Sequence, residues 1–267
     1  MPVFQTTHTL LYYDFFTQDL TVAADTSGVL PPTLLLVHGF AGTPTSDFAD
    51  QLPLLLRHYQ VLAPHLHGYG RSTRRSHYTP DYYREDVADI IALLDHLNLA
   101  RVLVLGFSDG AIVSLLLAAL HPERVLAVAA LGAQPTITQE NVAGIRHWLL
   151  ESPLSEDWQR QLAELHGAPY WQTLPAMYVE AQEVLVRQGG VLISDTEMAG
   201  ITCPTLLMHG TRDRIVPVDY ARILQQKIPG SHLHLFEAGH PAHLRYPNEF
   251  ITLILPFFQN SLAQPLP

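Results

Sequence analysis

Ser108, Asp213 and His240 are the side chains whose types and settings fit one chemistry together. Ser108 lies in Gly106-Phe107-Ser108-Asp109-Gly110, between the apolar runs Val102 to Leu105 and Ala111 to Leu120. The spacing predicts a buried strand, a sharp turn and a buried helix. Glycines beside the serine allow a turn too tight for side chains. The helix start offers unpaired N–H groups and positive potential, where an oxyanion can be held. Asp213 follows the strand-like run Pro204 to Met208, which ends at His209-Gly210. His240 follows a further run, His232 to Phe236, in the stretch Glu237-Ala238-Gly239-His240-Pro241. All three then lie just past strand ends, the edge where open α/β sheets bind ligands.

A serine hydroxyl is a weak nucleophile at neutral pH and needs an adjacent base. A histidine, with an ordinary pKa near ~6.5, can take that proton and return it to a leaving group. A carboxylate on the other ring nitrogen fixes the tautomer and stabilises the imidazolium. Each residue also has a plainer reading. Ser108 is otherwise a turn serine. Asp213 is otherwise a solvated loop acid or helix cap, or a partner of Arg212 or Arg214. Asp195 is a rival acid, and His243 competes with His240.

The elements that must position these groups alternate strand and helix, as a parallel sheet requires. Thr33 to Val37 and Gln60 to Ala63 read as strands, and Val125 to Leu131 as the strand after the serine helix. Thr7 to Phe16 and Leu20 to Ala24 read as an antiparallel edge pair, turning at Asp25 to Gly28. Thr79-Pro80 predicts a helix start, with Thr79 as cap and Pro80 in first position. Val87, Ile90, Ile91, Leu94 and Leu97 then line one helix face. From Ala133 to Gly200 the alternation gives way to amphipathic helices carrying all three tryptophans.

His38-Gly39-Phe40, His67 to Ser72, Gly106 to Gly110, Gly210 to Pro217 and Gly239-His240 recur in order along the chain. In this the sequence resembles the α/β-hydrolase superfamily over essentially its whole length. The resemblance implies an α/β-hydrolase fold, with a mostly parallel eight-stranded sheet flanked by helices. Its core would be residues 1–132 and 201–267, with a helical cap at 133–200 inserted after strand 6. It makes Ser108 the nucleophile, His240 the base and Asp213 its orienting acid. The oxyanion hole would be the N–H groups of Phe40 and Asp109, and His243 a packing residue on the following helix. His65 stands where the family usually has an aspartate; we read that position as structural.

Within the superfamily, Gly106 to Ala111, Gly239 to Arg245, Leu131 to Gln134 and Tyr170-Trp171 look like the valacyclovir hydrolase (biphenyl hydrolase-like) serine esterases. In that group the aspartate after the nucleophile binds the α-amino group of amino-acid esters, which here makes Asp109 substrate-binding. The plainer reading of Asp109 is an acid favoured at a helix start. The resemblance implies a serine esterase for small carboxylic esters, with no cofactor. The alternatives are a C–C bond hydrolase, a cofactor-free perhydrolase, or a slow-turnover ligand receptor.

Composition narrows the partners. The chain has 267 residues, 48% hydrophobic and 15% charged, with net charge −10. That length allows one large core. Sparse, scattered basic residues argue against a nucleic-acid surface. Cys203 is alone, so no disulfide framework exists within the chain. The 15 histidines include His65-x-His67 and His232-x-His234, yet neither pair has a companion ligand set, so no metal is expected. Met1 to Leu20 lacks a basic leader, and Ala111 to Leu120 is too short to span a bilayer. The expectation is a cytoplasmic protein acting on a small-molecule ester, with no membrane partner and an undecided oligomeric state.

Overall fold

The computed structural model describes residues 2–7, 9–17 and 31–263. Eight strands form one sheet in the order β1-β2-β4-β3-β5-β6-β7-β8. They are β1 (Val3–Gln5), β2 (Leu10–Phe16), β3 (Thr33–Val37), β4 (Gln60–Pro64), β5 (Val102–Phe107), β6 (Val125–Leu131), β7 (Thr205–Gly210) and β8 (His232–Phe236). β1 and β2 pair antiparallel, as do β2 and β4, whereas every pairing from β4 onward is parallel. The central strands are apolar throughout because both faces of a parallel sheet are covered.

Alternate residues of these strands enter two cores, as the two-residue strand period demands. Leu35, Val37, Val104 and Val128 pack on one face, while Leu34, Leu36, Leu103 and Leu105 pack on the other. The second face is covered by α1 (Pro44–Asp47), α2 (Leu52–Leu55) and two C-terminal helices. The first is covered by α3 (Tyr82–His96) and α4 (Asp109–Leu120). Leu115, Leu116 and Leu117 of α4 are each 0% exposed. Burying each contributes about 1.5–3 kcal/mol, which holds α4 against the sheet end where the serine turn lies.

Between β6 and β7 the chain is helical: α5 (Gln139–Arg146), a π-helical turn (His147–Glu151), α6 (Glu156–His166), α7 (Leu174–Arg187) and α8 (Asp195–Gly200). Its only strand-like feature among the described residues is the isolated bridge Thr136–Val191. Thr138 and Ser194 close capping boxes at the starts of α5 and α8. The remaining helices are α9 (Asp219–Lys227), α10 (Ala242–Arg245) and α11 (Pro247–Ala263). No helix among the described residues is long and apolar enough to cross a membrane.

Two local expectations are corrected. The strand expected from Thr7 starts at Leu10 and pairs with Val3–Gln5, and Thr6 N–H donates to the Thr9 carbonyl just before it. The expected strand Leu20 to Ala24 and turn Asp25 to Gly28 lie outside the described residues. Helix α3 begins at Tyr82 rather than at Pro80. The Thr79 hydroxyl donates to Glu85 Oε1 at 2.7 Å, so it is directed at a side chain and not at the helix N–H groups.

Candidate active site

The turn after β5 explains its own sequence. Ser108 has φ 55°, left-handed backbone that an ordinary residue adopts only under constraint. A Cβ at Gly106 would lie 2.3 Å from the Gly110 carbonyl oxygen and Ser114 Oγ. One at Gly110 would lie 2.2 Å from the Val37 carbonyl oxygen. Both glycines therefore let β5, α4 and the end of β3 close around the serine. Strain of this kind costs about 1–3 kcal/mol and persists only where the surroundings over-determine it; the buried flanks of β5 and α4 do so here.

Ser108 Oγ is 2.8 Å from His240 Nε2, and His240 Nδ1 is 2.6 Å from Asp213 Oδ2. An ionised carboxylate only accepts, so Nδ1 carries the proton and Nε2 is left to accept from the serine. Asp213 is fixed from behind: its Oδ1 accepts from the N–H groups of Ile215 (2.8 Å) and Val216 (2.9 Å). His209, fully buried at the end of β7, lies 3.4 Å from Asp213 Oδ2. Burial by itself would raise the Asp213 pKa. The hydrogen bonds from His209 and His240, the charge of His240 and the Val216 N–H outweigh it and hold the carboxyl below its usual range.

Glycines also seat the histidine. Gly210 ends β7 where a Cβ would lie 2.2 Å from the Gly239 carbonyl oxygen. Gly132, at φ +73°, lies flat against the His240 ring, with a Cβ there only 2.9 Å from Cε1. The rival groups are placed elsewhere. Asp195 pairs with Lys227 at the surface, 2.8 Å away. Arg212 donates to the Glu237 carbonyl rather than to Asp213. His243 is fully buried against Phe107, its pKa lowered to about 4 by burial, and its Nε2 lies 2.8 Å from the Asp47 carbonyl oxygen. His65 is buried, and its Nδ1 accepts from the Arg71 N–H at 3.2 Å. Among the described residues no group of three or more His, Cys, Asp or Glu is arranged to hold a metal ion.

The loop after β3 is a β-turn closed by Gly42 N–H on the Gly39 carbonyl at 3.2 Å. Ala41, third in that turn, has φ 58°, where glycine or asparagine is usual; this costs about 1–2 kcal/mol. A Cβ at Gly39 would come within 3.0 Å of Ser108 Cβ, so the turn lies directly against the serine. The Phe40 and Asp109 N–H groups donate to no described residue. Asp47 Oδ2 accepts from the Gly39 N–H at 2.8 Å. Burial pushes the Asp47 carboxyl up to about 7, against the Gly39 and Ser46 hydrogen bonds that lower it.

A cavity of ≈ 270 Å³ opens on Ser108 and His240. Phe40, Phe107 and Leu244 of the sheet-bearing region wall it, and Ile145, Trp148, Trp158 and Tyr178 from the helical segment complete it. Asp109 is not on this wall. Its Oδ1 accepts from Tyr83 and Tyr178 hydroxyls, each at 2.9 Å, and no described residue bonds to Oδ2. Burial raises the Asp109 carboxyl to about 6, while the two tyrosine bonds and His240 lower it.

Sequence reasoning did not find Tyr83, Tyr178, His209 or Asp47. Tyr83 and Tyr178 lie among 11 tyrosines with no motif around them. His209 had one signal, its place before Gly210 at a strand end. Asp47 had none, since its role depends on how α1 folds back on the loop.

A family profile described as alpha/beta hydrolase fold matches residues 32–164. The serine hydrolase BPHL of Mus musculus is 32% identical over 233 residues, covering 85% of this chain and 79% of the relative. The chain belongs to the α/β-hydrolase family. It is a hydrolase of this fold. The 2-hydroxy-6-oxo-2,4-heptadienoate hydrolase of Pseudomonas putida is 28% identical over 248 residues, covering 84% of this chain and 88% of its own. Among solved structures, the enol-lactonase from Burkholderia xenovorans LB400 superposes with TM-score 0.75 at 22% identity, covering 97% of this chain and 100% of the other. That likeness concerns the fold alone.

Proposed function

We propose that this chain is a cofactor-free serine esterase for small carboxylic esters, with α-amino-acid esters favoured. The observation that carries the reading is the hydrogen-bonded series Asp213–His240–Ser108 opening onto an apolar cavity. Ser108 Oγ attacks the ester carbonyl carbon while His240 Nε2 takes its proton. The Phe40 and Asp109 N–H groups hold the oxyanion, an interaction whose removal typically costs ~2.7–4 kcal/mol. His240 then protonates the leaving alcohol. A water activated by the same nitrogen releases the acid, and Asp213 keeps the imidazole oriented throughout. Residues 133–200 act as the cap, whose aromatic side chains exclude bulk water, over a core of residues 1–132 and 201–267.

The amine preference rests on Asp109. It follows the nucleophile, and a bare carboxylate there would oppose a developing oxyanion. Tyr83 and Tyr178 occupy one oxygen; although Asp109 does not line the cavity, its other oxygen is the acceptor left for an α-ammonium group beside the scissile carbonyl. The likeness to the mouse serine hydrolase supports a serine mechanism. The Pseudomonas relative supports a second reading, hydrolysis at a carbon–carbon bond, because the compound in its name contains no ester.

The test is initial rates on matched esters, one with a free α-amine and one with that amine acylated, for wild type and Asp109→Ala. A wild-type preference for the free amine that Asp109→Ala abolishes supports the reading. Equal rates on both esters reduce it to a general carboxylesterase. Turnover only of a dienone substrate favours the carbon–carbon reading.

A further inference from the structure

We propose that His166, at the C-terminal end of α6, is a positioning residue that sets the oxyanion turn by holding the Ala41 carbonyl. The proposal rests on the reading of Phe40 N–H as an oxyanion donor. The ring bridges two loops. Gly70 N–H donates to His166 Nδ1 at 2.9 Å, and His166 Nε2 lies 2.9 Å from the Ala41 carbonyl oxygen. The first bond requires Nδ1 to accept, so Nε2 carries the proton and donates to Ala41. The tautomer is thereby fixed by the fold. His166 is 3% exposed, and burial lowers its pKa, in keeping with a neutral ring.

Ala41 needs such a hold. Its φ of 58° is an unfavourable conformation for alanine, and the peptide can relax by turning its carbonyl away. Because φ is the rotation between the Phe40–Ala41 peptide and the Ala41 carbonyl, holding that carbonyl limits how the peptide joined to Phe40 can move. Asp47 pins the other end of the turn through Gly39 N–H. Phe40 N–H is thus suspended between two fixed points, one from α1 and one from α6.

The helical segment has a second anchor besides His166. Tyr170 Oη donates to the Gly68 carbonyl at 2.8 Å and accepts from Arg75 N–H at 3.0 Å. The turn that follows α6 is therefore anchored independently of the Ala41 bond. Trp158, Gln161, Leu162 and His166 are spaced so that they share one face of α6. Trp158 and Gln161 line the cavity, so the helix that meets the substrate also holds the turn that would meet the oxyanion.

Two isosteric replacements separate the two bonds. In His166→Asn the amide oxygen takes the place of Nδ1 and keeps Gly70 but loses Ala41. In His166→Gln the amide nitrogen takes the place of Nε2 and keeps Ala41. Steady-state kinetics on the best ester, with each rate corrected to the active fraction by fluorophosphonate titration, gives kcat and KM for both. Loss of a whole oxyanion donor costs about 10²–10³-fold in kcat. We expect His166→Asn to lose about 10–100-fold in kcat with KM within about threefold, and His166→Gln to stay within about threefold of wild type. Tyr170→Phe, which weakens docking without touching the turn, should lower the melting temperature without that selective loss. Equal kcat for the Asn and Gln variants overturns the proposal. So does a loss confined to KM, or the same kcat loss in Tyr170→Phe. Ser108→Ala is run beside them. If it keeps wild-type turnover, the underlying reading has failed; if it is inactive while His166→Asn is normal, only the role of His166 has failed.

Discussion

Tyr178 donates its hydroxyl to Asp109 Oδ1 at 2.9 Å, tying the helical segment to the first residue of α4. The same tyrosine ring lies 3.9 Å from Phe40 and walls the cavity. One side chain therefore touches the cavity, the turn after β3 and the carboxylate beside the serine. Removing its hydroxyl removes a bond that lowers the Asp109 pKa. We expect Tyr178→Phe to move that carboxyl above about 6. More of it is then protonated at neutral pH. Relative to wild type, the rate on free-amine esters should fall at pH 6–7, where the substrate α-ammonium group is still charged, with the acylated-amine ester unaffected. Matched pH–rate profiles read this directly, and identical shifts for both esters would count against it.

Asp109 also carries a stability cost with a definite sign. Its folded pKa of about 6 lies above the ordinary value of 3.8, so between these values the folded state binds more protons than the unfolded state. Stability from this group accordingly falls as pH rises through that window. Asparagine has no such term. The melting-temperature difference between Asp109→Asn and wild type should therefore shift in favour of the variant from pH 4 to pH 7. A difference independent of pH would show that the buried charge is not the cause. Asp47, pushed to about 7 by burial, contributes equally to both proteins and cancels in the comparison, whereas Asp86, also raised to about 7 by burial, is raised partly by the Asp109 charge and so shares in the shift.

The orienting role proposed for Asp213 makes a kinetic prediction. Asparagine in its place cannot fix the same imidazole tautomer, and the corresponding change in a serine protease lowers kcat about 10⁴-fold. We expect a loss of that order for Asp213→Asn on any ester, together with a lower melting temperature at neutral pH, because the lowered Asp213 pKa means its charged form stabilises the fold there. Circular dichroism with initial rates checks it. Loss of less than about tenfold would point to another acid.

Gly110 tests the turn itself. A methyl group there would meet the Val37 and His38 carbonyl oxygens at 2.2 and 2.4 Å, which are backbone atoms in the sheet end. Overpacking typically costs about 1–3 kcal/mol. Gly110→Ala should lie at or above that range in urea unfolding and should lose activity, because relief requires β3 or α4 to move away from Ser108. Wild-type stability would show that the turn is looser than its contacts imply.

Much of this arrangement is readable from the sequence because it is local. Apolar runs such as Val102 to Leu105, ending on glycine turns, mark strands and their loops without any tertiary information. The loop positions of Ser108, Asp213 and His240 follow from those runs, and the parallel sheet carries them to one edge. Where the outcome depends on contacts between distant segments, the sequence is silent. Tyr83 and Tyr178 meet Asp109 from helices 95 residues apart in number, and nothing near either tyrosine signals it. The same holds for His166, whose partners Ala41 and Gly70 lie in two earlier loops. The start of α3 shows a local limit too. Thr79-Pro80 has the composition of a helix start, but the Thr79 hydroxyl is drawn to Glu85, and the helix opens at Tyr82.

The central claim is that Ser108 forms a covalent acyl intermediate with His240 as its base. It is tested most directly by mixing the enzyme with an activated ester, quenching within the first turnover, and mapping the added mass by peptide mass spectrometry. We expect one acyl group on the peptide containing Ser108, absent in Ser108→Ala and trapped for longer in His240→Gln once the ester is activated enough to acylate it. Turnover with no adduct on Ser108, or an adduct on another residue, would contradict the account.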